Sequence, residues 1–186
     1  MIEFTSDQIS RGEALLGGIK DALPKAQSNA INRSLITARA EAIRSVREQY
    51  IVDASTIRKT MVIKNASLNK PSGSISSTGS PIALSKFDIS PTRPNSKQRI
   101  PVTARVKLGS SKKTIKNAFI ARTSNGHIGV FIRAGKSRFP IKQLYGPSVP
   151  QMLGEKNVSK KIEEKAAETL DKRLEHEINR ILEGHS

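Results

Sequence analysis

The chain has 186 residues, of which 36% are hydrophobic and 4% aromatic, with no Cys and no Trp. That hydrophobic fraction lies below the roughly 45–50% of an ordinary globule, so a small core is expected, with part of the surface dependent on partners. The missing cysteines exclude disulfides and thiolate metal sites, and a formal charge of +16 calls for an anionic counterpart, either an acidic protein or nucleic acid phosphate.

The charge is unevenly spread. Residues 1–53 hold seven basic and seven acidic side chains, residues 54–154 hold eighteen basic ones and a single acid, Asp88, and residues 155–186 hold seven basic and eight acidic. The start of the chain has no basic and apolar signal region, and no apolar run reaches membrane-spanning length. A soluble protein made in a reducing cytoplasm, without membrane contact, is the expectation.

Ser6 is a candidate N-cap for a helix running to Leu23, with Asp7 in its first turn and Gly17-Gly18 weakening it. Pro24 suits the first turn of a second helix reaching about Tyr50, whose apolar positions Ala26, Ala30, Ile31, Leu35, Ala38, Ala42, Ile43, Val46 and Tyr50 keep helical period. Asp53 is placed to cap a short helix through Met61. Beyond it, Ser72–Thr78 is either an edge strand or a loop. Residues 87–95 read as a turn-rich connector.

Alternation returns from Ile100 to Leu108, which predicts a half-buried strand with Thr103, Arg105 and Lys107 on its wet face. A basic turn, Gly109–Lys113, leads to a hairpin whose strands Ala118–Ala121 and Ile128–Ile132 flank Asn125-Gly126, a pair able to hold positive φ angles. Phe119, Phe131 and Phe139 are expected inside. From Pro140 to Pro150 the prolines and Gly146 predict a stiff, extended, non-helical segment. The tail, Glu155–Glu183, is a helix with apolar residues every four positions from Val158 to Leu182. Such a stripe drifts about 40° per step, so the near half is expected to pack on its own domain and the far half on something else. Together these elements predict an α+β fold: two N-terminal helices, an antiparallel sheet and a long C-terminal amphipathic helix. The expected organisation is an arm over 1–23, a core over 24–154 that carries the basic sheet region, and the helix 155–186.

No catalytic constellation is legible, so neither an enzyme nor a cofactor site is expected. Gly135-Lys136-Ser137 lacks both the glycine spacing and the following helix of a phosphate loop. His127 has Ser124 nearby, but the only acid in the basic region is Asp88. The basic contact surface is assigned to Arg105, Lys107, Lys112, Lys113, Lys116, Arg122, Arg133, Lys136 and Arg138. With its aromatics buried, that surface would lack base-stacking platforms, which leaves nonspecific nucleic-acid binding as the alternative to protein docking.

The segments Ala118–Ala121, Gly126–Arg133 and Pro140–Met152, with Leu144-Tyr-Gly-Pro-Ser-Val-Pro-Gln151 at their heart, resemble the minor tail protein Z family of tailed bacteriophages and prophages. The resemblance extends to Ala30-Ile-Asn-Arg33 and Ile57-Arg-Lys59, covering roughly residues 25–155. It implies a virion protein, assembled in the host cytoplasm, at the head-proximal end of the tail, where it completes the tail and joins it to the head. It also implies a homo-oligomeric ring, six-fold to match the tail, with other tail and neck proteins as partners and DNA in the channel as a further contact. The docking arm is then Leu144, Tyr145, Gly146, Pro147, Ser148, Val149, Pro150, Gln151 and Met152.

Overall fold

A computed structural model describes residues 5–19, 21–94 and 100–184 and shows the α+β fold. Two compact units emerge. One takes residues 1–45, 61–77 and 154–186, the other residues 46–60 and 78–153.

In the first unit, helix α1 spans Ser6–Leu16. Its N-cap is Thr5, one residue before the serine expected. Thr5 Oγ1 accepts from Gln8 N at 3.3 Å and Gln8 Oε1 accepts from Thr5 N at 2.8 Å, a reciprocal box that Ser6, with Ile9 three residues on, has no means to form. The helix stops well short of Leu23, because Gly17-Gly18 and the left-handed Asp21 (φ 57°) separate it from α2, Ala22–Gln49.

Along α2 the inward positions follow a strict four-residue step: Ala22, Ala26, Ala30, Ser34, Ala38 and Ala42 are all buried. The C-terminal helix α5, Lys156–Leu182, uses the same step at Val158, Ala166, Leu170, Leu174 and Ile178. Rows of this kind interlock as ridges into grooves, and alanines keep α2's ridge low. Ser34 Oγ reaches the backbone carbonyl of Ala166 at 2.7 Å, and Asn29 Nδ2 donates to Glu177 Oε2 at 2.9 Å. The far half of α5 is therefore not left over for another molecule: Leu170, Leu174, Ile178 and Ile181 share one cluster with Leu16, Ala22, Ala26 and Ala30. The drift of the stripe is absorbed because α1 supplies a second wall, with Gln8 on Asp171 and Arg11 on Glu175. Only the end departs from the pattern, with Ile181 inside and Leu182 exposed.

Strands β1, Met61–Lys64, and β2, Ser74–Ser77, form an antiparallel pair, so the serine-rich segment is the edge strand of the two readings. Asn32 pins their connection, donating to Ala66 O at 3.1 Å and accepting from Ala66 N at 2.8 Å. Gly73 lies so close to α2 that a Cβ there would stand 2.7 Å from Leu35 Cδ1.

The second unit begins with the last turn of α2 and the short helix α3, Ala54–Lys59, whose Ile57 is fully buried. It carries two three-stranded antiparallel sheets. The first orders β3, Asp88–Ser90, β4, Thr103–Arg105, and β5, Lys113–Thr114. Thus the expected connector contains a strand, with Ile89 buried. The long strand expected over Ile100–Leu108 is shorter because its second half changes partner: Ile51 N donates to Val106 O and Leu108 N to Gln49 O. Val102 and Ala104 point inward as the alternation predicts, whereas Ile100 and Leu108 stay about half exposed.

The second sheet orders β6, Ala118–Arg122, β7, Ile128–Arg133, and β8, Ile141–Gln143. Its first turn is the expected one with a refinement. Gly126 N donates to Thr123 O, Thr123 N to His127 O, and Gly126 alone takes a positive φ, +83°. This is a three-residue loop closed by a glycine, with Asn125 supplying a side-chain acceptor to His127 N rather than a left-handed backbone.

The α2 ridge generates a stability test. Ala30→Leu should lower stability by about 1–3 kcal/mol, since the packed core has no room for three more carbons. Ile36→Ala on the exposed face of the same helix should stay within about 0.5 kcal/mol. Urea midpoints at constant slope would measure both; equal shifts would mean that the ridge is not tightly packed.

Candidate docking segment and basic surface

The residues predicted for docking follow β8 directly. Leu144 N donates to Val130 O at 2.8 Å, Leu144 O accepts from Leu84 N at 3.0 Å, and Gly146 N donates to Ile82 O at 2.8 Å, which threads the segment between β7 and residues 82–84. Gly146 is required here because Phe87 packs on its backbone: a Cβ would lie 2.5 Å from the ring. The chain then turns into helix α4, Val149–Leu153, where an extended, non-helical course was expected. Pro150 sits in the first turn, where its missing N–H costs nothing. Ser148 and Gln151 form a capping box, with Gln151 Oε1 accepting from Ser148 N at 2.9 Å and Ser148 Oγ from Gln151 N at 3.4 Å.

This arrangement divides the nine predicted docking residues. Ser148, Val149 and Met152 are buried, Leu144, Gly146, Pro147 and Pro150 are half-buried, and Tyr145 and Gln151 are exposed. The Tyr145 hydroxyl donates to Gln143 Oε1 at 3.3 Å, so the Gln143 amide N–H faces His127 Nε2 at 3.0 Å. His127 is thereby a member of a short polar chain on the sheet's surface.

All nine predicted basic residues lie in the second unit but on two sheets. Asp88 takes up two of them: its Oδ2 is 2.8 Å from Arg105 Nη2 and its Oδ1 is 2.7 Å from Lys112 Nζ. The Lys112 ammonium, and after it the Arg105 guanidinium, hold the Asp88 carboxyl below its ordinary pKa. Lys107 lies over the Tyr50 ring at 5.1 Å. Lys113 and Lys116 are exposed around β5. On the other sheet, Arg122 and Arg133 stand at opposite ends and on opposite faces of the hairpin, since Arg122 shares the side of Val130 and Arg133 that of Phe131. Arg133 covers Phe119 at 5.3 Å and donates to Arg138 O at 2.6 Å. Lys136 and Arg138 are exposed in the β7–β8 loop.

One aromatic departs from expectation. Phe131 is buried and tilts against the half-buried Phe119, with ring centroids 6.3 Å apart, but Phe139 is 64% exposed. Arg138 stacks over it at 5.7 Å. Its neighbours from Gly135 to Arg138 are all polar or glycine, so no alternation existed to direct it inward. Lys142, exposed on β8, is a cation that the sequence reading left out.

Among the described residues, no group of three His, Asp or Glu is placed to hold a metal ion, and no helix is long and apolar enough to cross a membrane.

Two outcomes follow from this geometry. Gly146→Ala should lower the melting temperature, by about 1–3 kcal/mol of overpacking, whereas Gly135→Ala, with nothing within 4 Å, should leave it nearly unchanged. The Asp88 group predicts an acid dependence. With a folded pKa below the ordinary 3.8, its contribution is complete above that value and lost as pH falls through the depressed one. The Tm difference between wild type and Asp88→Asn should therefore be largest near neutrality and close as pH drops; a gap independent of pH would contradict the charge-based account.

No curated protein and no solved structure matches the chain. Residues 14–184 match the model of the family described as prophage minor tail protein Z (GPZ), a span that takes in α5 and the end of α1 as well as the segments quoted above. The chain belongs to that family and is a structural protein of the phage tail.

Proposed function

We propose that this tail protein sits at the head-proximal end of the tail, completes it, and joins it to the head as one subunit of a homo-oligomeric ring, hexameric to match a six-fold tail. It acts by docking, not by catalysis. The observation that carries this reading is the one-sided charge. The second unit holds seventeen basic and three acidic side chains, and its exposed Tyr145 and Gln151 stand on a rigidly hydrogen-bonded segment. Such a surface suits an acidic neighbouring ring, and its prior rigidity reduces the entropic cost of docking. Direct contact with DNA in the channel draws on the same cations.

The decisive experiment adds purified chain to tails assembled without it, then mixes them with filled heads. Joined, infectious particles are the expected result, with density for the chain at the head end of the tail by electron microscopy. Tyr145→Ala should remain folded and reduce joining several-fold. A chain that never enters tails, yet binds any DNA with a steep salt slope, would favour the rival reading of a nonspecific nucleic-acid-binding protein.

A further inference from the structure

Two exposed features are suited to each other. The first is the tip of the β7–β8 hairpin, where the exposed ring of Phe139 lies under Arg138 in a loop that also carries Lys136 and no acidic residue. The second is an open groove of about 260 Å³ between α1 and α5. Leu15, 44% exposed, is its apolar surface, backed by the core residues Leu174 and Ile178, and its rim carries Asp171 and Glu175 beside Arg11 and Lys172. The volume is below the ~300–1,000 Å³ of small-molecule sites and is of the scale of one aromatic side chain.

We propose that Phe139 of one copy seats in the α1–α5 groove of a second copy, with Lys136 and Arg138 over the second copy's Asp171 and Glu175. This rests on the ring reading above and names its surfaces. The rim is prepared for the exchange. Glu175 pairs with Arg11 at 3.4 Å with both side chains about two-thirds exposed, a kind of pair worth little. Lys172, the other cation of the rim, is already taken by Glu168 at 2.6 Å.

The charge partition selects the mode of association. The second unit is +14, while the first holds thirteen of the sixteen acidic residues and nets only +2. Two copies that met through their second units would set like charge against like. Tip against groove sets +14 beside the acid-bearing unit. Contact between different patches on each copy is heterologous, and a heterologous contact closes into a ring when its rotation allows.

The native chain contains no cysteine, so single thiols can be placed without background. Ser137→Cys, beside the ring, and Asn179→Cys, on the groove rim, are mixed and oxidised, with Ser137→Cys plus Leu68→Cys, exposed elsewhere on the first unit, as control. The expected result is mixed disulfide in several-fold excess over either homodimer and over the control pair. The same substitutions combined in one chain and carried into assembled tails should give a ladder ending in one closed species. Where free chains do not associate, the tails decide. Incorporation without cross-links overturns the tip-in-groove contact and leaves the tail role standing, whereas failure of the wild-type chain to incorporate overturns the tail role itself. Binding of a single-stranded oligonucleotide that depends on Phe139, together with absent cross-links, would make the tip a base-stacking element and also overturn the proposal.

Discussion

The low ridge of α2 is the constraint on which most of this molecule depends. A helix that steps Ala22, Ala26, Ala30, Ser34, Ala38, Ala42 along one side exposes its own backbone to a neighbour, and α5 answers with larger side chains at the same interval. Serine at the middle of the row converts closeness into a bond, because only a short hydroxyl near the partner's backbone reaches the carbonyl of Ala166. The opposite flank of α2 is used just as closely. Asn32 grips both backbone groups of Ala66, and Gly73 passes Leu35 and Ile31 without a side chain. A chain with only 36% hydrophobic residues thereby gains order from proximity and directed bonds where a larger apolar volume is missing.

Periodicity made the helices and the central hairpin legible, since both are written in local spacing. What it missed were features decided by partners distant in sequence. The run from Val102 to Leu108 has one uninterrupted alternation, yet it pairs first with β3 and then with residues 49–51, a switch no local pattern encodes. The far half of α5 read as surplus apolar surface because α1 was not counted as a wall. Prolines misled in the opposite way. Pro150 forbids an interior helical position but suits a first turn, and the Ser148-Gln151 pair that starts α4 was visible in the sequence as Ser-x-x-Gln. Of the candidate site, the sequence disclosed which cations are present but not that Asp88 occupies two of them, nor that Phe139 faces solvent.

The segments that carry the family resemblance have concrete physical tasks here. Ala30-Ile-Asn-Arg33 holds a core alanine and the asparagine that clamps Ala66. Ile57 in the second segment is fully buried. In Leu144–Gln151, Leu144 bridges two backbone neighbours, Gly146 makes room for Phe87, and Ser148 with Gln151 caps α4. The most specific motif is therefore spent largely on fixing its own backbone, and Tyr145 with Gln151 is what it shows to solvent. A motif that must be both rigid inside and exposed at two points is suited to presenting a contact in one fixed geometry.

Electrostatics then limits how copies and partners can meet. Asp88 quenches part of the field around β4, so the charge that remains available lies at β5, at the ends of the β6–β7 hairpin and at the β7–β8 tip. These positions point from different edges and faces, which disfavours a single flat anion-binding patch and fits a subunit that touches more than one neighbour. If the tip engages the next copy, the exposed cations around β5, on the other sheet, are not part of that contact. They are then the part of the second unit for which an acidic ring or a DNA phosphate supplies the counter-charge, and the repulsion among them is relieved only when assembly brings that partner. Ring closure and partner docking would thus reinforce one another without any change of fold.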